Sequence, residues 1–128
     1  PVVLHAVYED ALIACDLLEK HEIQRAHFHW FKGPEEAIRR MIASGYYISF
    51  TPDILYEPEI QEIARLYPPE LVMAETDGPW PFEGPFAGHP TQPSMIREVA
   101  AAWGKLHGYS SDQAEKILTT NTVKFYGL

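Results

Sequence analysis

The chain has 128 residues, 46% of them apolar, and a formal net charge of -8. That is enough apolar chain for a real core, and a single cysteine, Cys15, excludes an internal disulfide framework. The 18 Asp and Glu against 10 Lys and Arg argue against a free-standing nucleic-acid-binding domain, and no apolar run approaches the roughly 18 residues of a membrane span.

Pro1 leads straight into an apolar run, Val2-Val3-Leu4, which reads as a strand. A chain that opens inside a strand, without Met, reads as a piece of something longer. Ala11, Ala14, Cys15 and Leu18 then fall on one helical face. Residues 23–29 read as a second strand. Pro34, followed by Glu35 and Glu36, opens a second helix, and Gly45 suits its end. Tyr46 to Phe50 is aromatic and β-branched, so it reads as a strand. Pro58 opens a third helix with Ile60, Ile63, Ala64 and Tyr67 on one face, and Pro68-Pro69 stops it. Leu71 to Ala74 reads as the fourth strand.

Residues 78–93 change character. Eight of them are Gly or Pro, with Trp80, Phe82 and Phe86 between. A loop of this length in a compact domain is usually functional, and its aromatics predict an ordered one. Met95, Val99, Ala102, Trp103 and Leu106 mark a fourth helix that Gly108 ends. Ser110 with Gln113 makes a capping box for a last helix through about Leu118, and Thr119 to Leu128 reads as a short closing segment.

The order is βαβαβαβα plus a tail, which predicts α/β architecture with a parallel sheet. His5, His29, Asp53 and Asp77 are spaced 24 residues apart, each after a predicted strand. One strand and one helix per 24 residues is the rhythm of a TIM-like (β/α) barrel of about 250 residues, and four such units are half of one. Chemistry in such folds sits at the C-terminal strand ends. His5, His29 and Asp77 are there, and imidazole and carboxylate suit zinc, manganese or another divalent ion.

The words around these residues carry a resemblance. Val-Val-Leu-His5, His29-Trp-Phe-Lys-Gly33, Gly45-Tyr-Tyr-Ile-Ser-Phe50 and Glu75-Thr-Asp77-Gly-Pro79 come in order. Thr91-Gln-Pro93 and Asn121-Thr-Val-Lys-Phe-Tyr-Gly127 follow. From Pro1 to Leu128 the chain resembles the C-terminal half of the TatD family of metal-dependent hydrolases, in the amidohydrolase superfamily. The resemblance implies a distorted β/α barrel holding one or two divalent ions (Zn, Mn or Mg). It implies His5, His29 and Asp77 as metal ligands, with Asp77 orienting or deprotonating the attacking water. The implied activity is that of a deoxyribonuclease, hydrolysing phosphodiesters of nucleic acid or another phosphoester. Apart from the resemblance, the lone Cys15 and the lack of a visible export signal fit a reducing cytoplasm.

Three departures stand out. The family's His-x-His and a middle-strand Glu would lie before Pro1, in an N-terminal half absent here. The family's Ser-Arg-Asp/Glu-Ala after the first His is Ala6-Val-Tyr-Glu-Asp-Ala11 in this chain. Thr91-Gln-Pro93 stands for the commoner Asn-Glu-Pro. The rival expectation is a non-catalytic half-barrel that self-associates or pairs with the missing half, because an open sheet leaves two edges uncovered.

Other polar residues have plainer readings. Asp53 reads as a solvated or capping residue rather than a fourth ligand. His27 alternates onto the same strand face as His29 and reads first as an interior, structural histidine, with support of a ligand from behind as the alternative; Glu75, two before Asp77, is placed for such support. Trp80 and Phe82 either line the substrate pocket or pin the loop to the barrel. His89 sits in that loop near the expected mouth, a surface residue or a substrate contact. His107 reads as structural, His21 as exposed and Cys15 as a buried small hydrophobe.

Overall fold

Four short β-branched and aromatic runs form strands, and the periodic segments between them form helices. The computed structural model describes residues 1–128. In chain order the elements are β1 (Val2–Leu4), α1 (Glu9–Lys20), β2 (Ala26–Phe28), α2 (Glu35–Ala43), β3 (Tyr47–Phe50), α3 (Pro58–Leu66), β4 (Val72–Ala74), α4 (Ile96–His107) and α5 (Ser111–Tyr126). Short 3-10 turns occupy Pro52–Leu55, Pro69–Leu71, Gly84–Phe86 and Pro93–Met95. The strands lie side by side in the order β1-β2-β3-β4, every pair parallel. This is the expected α/β half-barrel of four βα units.

The register is less even than the 24-residue rhythm implies. Val2 pairs with Ala26 and Leu4 with Phe28, an offset of 24. His27 pairs with Tyr47 and Phe28 with Ile48, an offset of 20. Ile48 pairs with Val72 and Phe50 with Ala74, which restores 24. The rhythm therefore breaks between β2 and β3, where a nine-residue helix replaces the 12 residues of α1.

Strand residues alternate between two faces. Ala26, Phe28, Ile48, Phe50 and Val72 face the helices in a core of 24 buried residues. Ala11, Cys15 and Leu18 of α1, Ala37 and Met41 of α2, Ile60 and Ile63 of α3, and Val99 and Trp103 of α4 complete it. Each large side chain buried there contributes about 1.5–3 kcal/mol. Tyr47 and Met73 face the other way and meet Phe125 of α5, so the end of the last helix crosses the inner face of the sheet. His27 and Ser49 share this inner face.

Several local signals form as read. Pro58 starts α3. Ser110 and Gln113 make both bonds of the capping box. Gly108, left-handed at φ 74°, ends α4. His107 bonds the Ala64 carbonyl at 2.7 Å and stacks on Tyr109, a structural histidine. His21 is exposed and Cys15 buried.

Others differ. The second strand is only Ala26–Phe28, because Ile23 turns back to bond the Leu18 carbonyl at the end of α1. Pro34 caps α2 from outside rather than opening it. Thr119 to Leu128 is not a closing segment: α5 runs on to Tyr126. The β-branched Thr and Val there favour a helix poorly. Tertiary bonds override that preference. The Asn121 amide donates to the Pro69 and Val72 carbonyls at 2.7 and 2.8 Å, and the Arg25 guanidinium donates to the Phe125 carbonyl. No helix is long and apolar enough to cross a membrane.

Candidate metal centre

The sheet ladder continues one residue past β1 and β2, since the His29 N–H donates to the Leu4 carbonyl at 3.0 Å. That bond sets His5 and His29 side by side. Their rings meet with His5 Nδ1 3.0 Å from His29 Nε2. The same extension joins β3 to β4, where the Glu75 N–H donates to the Phe50 carbonyl at 2.9 Å. Glu75 and Asp77 thereby reach the same strand-end surface. One ligand atom each from His29, Glu75 and Asp77 lies within 4.8 Å of the others.

The Glu75 carboxylate is already engaged. Oε1 accepts the Trp30 backbone N–H at 2.8 Å and the Ser49 hydroxyl. Oε2 faces His29 Nδ1 at 3.3 Å. With the carboxylate at Nδ1, the ring turns its Nε2 towards His5. Glu75 thus lies against His29 on the side away from His5.

Three residues at this mouth hold left-handed backbones that glycine would adopt without cost. They are Tyr8 (φ 52°), Trp30 (φ 45°) and Asp77 (φ 48°). Such positions cost of order 1–3 kcal/mol each and cluster at functional sites. The only other non-glycine case, Glu22 (φ 53°), is exposed at the end of α1, at the opposite end of the strands.

Below the mouth, on the inner face, His27 is 6% exposed. Its Nε2 is 2.7 Å from Ser49 Oγ and its Nδ1 3.1 Å from the Tyr126 hydroxyl. Burial, and then the neighbouring His29, lower its pKa to about 4, so the ring is neutral at pH 7. Nothing in the sequence singles out Ser49 or Tyr126; the Tyr126 contact spans 99 residues.

Asp53 corrects the sequence reading. It is neither solvated nor a cap but 2% exposed. Its carboxylate accepts the Thr51 hydroxyl at 2.7 Å and the Trp30 indole N–H at 2.6 Å, and it pairs with Lys32 Nζ at 3.6 Å. Trp30 is held at both ends, its backbone N–H on Glu75 and its indole on Asp53. Lys32 lies 5.0 Å over the Trp30 ring.

The loop residues divide. Phe82 is buried, 5.6 Å from the Trp30 ring, and pins the loop. Trp80 stands out at 52% exposure, its ring edge-on to Trp30 at 5.3 Å. His5, Val7, Tyr8, Trp30, Lys32 and Trp80 line an open cleft of about 310 Å³. His89 does not join the group; it is an exposed residue whose backbone N–H bonds the Phe86 carbonyl.

These donors fit a divalent ion by their chemistry. Zinc–imidazole bonds are about 2.0–2.1 Å, so two ring nitrogens on one ion lie a little over 3 Å apart, close to the His5–His29 separation. A family model described as TatD related DNase matches residues 1–127. The chain belongs to the TatD family. An uncharacterized metal-dependent hydrolase of Haemophilus influenzae is 40% identical over 129 residues, covering 100% of this chain and 50% of that protein. The metal-dependent hydrolase YcfH of Escherichia coli K12 is 27% identical over 100 residues, 77% of this chain and 38% of its own. The solved TatD homolog YjjV of Escherichia coli superposes with a TM-score of 0.87 at 24% identity, covering 100% of this chain and 50% of that one. A TatD family hydrolase of Entamoeba histolytica gives 0.83 at 17% identity, covering 98% and 50%. The chain spans about half the length of the TatD-family relatives that it matches over its whole length.

Proposed function

We propose that the protein carrying this segment is a metal-dependent phosphodiesterase acting on nucleic acid. His5, His29 and Asp77 hold a divalent ion together with ligands from chain outside the segment. The observation that carries this reading is the pair His5 Nδ1 and His29 Nε2 at 3.0 Å, with Glu75 behind His29. A bound divalent ion would supply Lewis acidity, polarising a phosphoryl oxygen and drawing the pKa of a water far down, towards about 7. Asp77 accepts the proton as the water oxygen attacks phosphorus. The P–O bond to the leaving oxygen breaks, and that oxygen takes a proton from solvent.

The cleft beside His5 suits the rest of such a substrate. Trp30 and Trp80 offer aromatic surface, and Lys32 offers a cation for phosphate. The segment's charge of -8 makes the ion and Lys32 the local attraction for an anion. Cys15, single and buried, suits a reducing compartment, and we place the protein in the cytoplasm.

A second reading concerns the segment alone. Val3 on β1 is 52% exposed on the open face of the sheet. Beside β4 an apolar groove of about 390 Å³ runs between α4 and α5, lined by Ala74, Ala100, Leu118 and Val123 among others. By itself the segment would pair through these surfaces with a second copy or with the other half of a barrel. Hydrolysis of a fluorescent oligonucleotide, with Mn²⁺, Mg²⁺ or Zn²⁺ added to the metal-stripped protein, tests the main reading. Metal-dependent cleavage is expected; cleavage that survives chelation would overturn it.

A further inference from the structure

The contacts under the metal centre form one continuous line from Tyr126 through His27, Ser49 and Glu75 to His29. Ser49 has one hydroxyl proton, and the Glu75 carboxylate, which only accepts, takes it. Ser49 Oγ must then accept from His27, so His27 carries its proton on Nε2. In the neutral ring Nδ1 is an acceptor, and the Tyr126 hydroxyl donates to it. At the other end, the second Glu75 oxygen takes the proton of His29 Nδ1, which frees Nε2.

We infer that Tyr126, His27 and Ser49 are positioning residues that fix the Glu75 carboxylate and, through it, the metal-binding tautomer of His29. This rests on the proposed metal site. Ser49 does most of the work. Without its hydroxyl, Glu75 Oε1 keeps only the Trp30 N–H, and the buried His27 Nε2–H loses its acceptor. Tyr126 is 40% exposed, so its hydroxyl biases the His27 tautomer while its loss hardly disturbs the core. Through this line the last turn of α5 acts on a site 97 residues away in sequence, counted from His29 to Tyr126.

Two readouts on the full-length protein test the inference. Long-range ¹⁵N–¹H correlation spectra of the metal-free protein report imidazole tautomers, and competition with a chelator reports Zn²⁺ affinity. Wild type should show His27 protonated at Nε2 and His29 at Nδ1. Ser49→Ala should mix the His29 tautomers and weaken Zn²⁺ binding about 10–100-fold. Tyr126→Phe should mix the His27 tautomers with the fold intact, and it decides the matter if Ser49→Ala does not fold. Wild-type rings in the opposite tautomers, or unchanged tautomers in both variants, would overturn the inference. Failure of wild type to bind Zn²⁺ would instead overturn the proposed function, and the tautomers would still decide the hydrogen-bond line.

Discussion

Ser49, not Asp53, falls level with His29 when the β2–β3 register is carried one residue past its last pair. The 20-residue offset between β2 and β3 brings the Ser49 hydroxyl, rather than the Asp53 carboxylate, next to the histidine. A carboxylate there would compete with Glu75 for His29 Nδ1. A hydroxyl instead donates to Glu75 and accepts from His27. Asp53 is left to hold Trp30 and Lys32 at the rim.

Asp77 carries the proton transfer in this account. Asp77→Asn keeps the shape but removes the charge and the basicity. Its turnover with an oligonucleotide substrate should fall by at least about 10²-fold, the usual scale of general-base catalysis. Steady-state kinetics at saturating metal measure this, and retention of wild-type turnover would remove Asp77 from the role.

Under the proposed function the exposed Trp80 would meet substrate, while Phe82 is the buried anchor of the loop. Trp80→Ala should raise the KM for a single-stranded oligonucleotide, costing about 1–3 kcal/mol of binding as for one lost stacking contact. It should leave the melting temperature unchanged. Phe82→Ala should do the reverse, losing stability by about 3–5 kcal/mol as for a buried aromatic. Parallel kinetics and thermal melts separate the two.

Asn121 joins α5 to the start of β4 through two carbonyls that otherwise lack this partner. Asn121→Ala should destabilise the fold by about 1–3 kcal/mol, the range for leaving buried polar groups unsatisfied. Urea unfolding reads this directly, and metal affinity in the folded variant should stay near wild type.

Glu22 holds a left-handed backbone away from the site, so its strain serves no chemistry. Glu22→Gly should raise stability by about 0.5–1 kcal/mol, the steric relief less the entropy that glycine adds to the unfolded chain. The same change at Asp77 would remove a proposed ligand. Denaturant midpoints of the two variants show which strained position is free to relax.

The fold was legible because its punctuation is local. Pro58, Gly108 and the Ser110–Gln113 box act within a turn of where they stand. His5, His29 and Asp77 stand out as candidates because each follows a strand in a recognisable word. What escaped the sequence is non-local. The shorter connection through α2 shifts the register by four residues relative to its neighbours, and no single residue announces it. The burial of Asp53 depends on Trp30 and Lys32, more than 20 residues earlier. The last two turns of α5 form against local preference, because Asn121 and Phe125 find partners on the sheet.

The central claim is that His5, His29 and Asp77 hold one divalent ion, with Glu75 supporting His29. Anomalous diffraction at the zinc edge, from crystals of the full-length protein, tests it most directly. The account predicts a peak at about 2.0–2.2 Å from His5 Nδ1, His29 Nε2 and an Asp77 carboxylate oxygen. A peak bonded instead to His29 Nδ1 and Glu75, or no peak at these strand ends in zinc-soaked crystals, would contradict it.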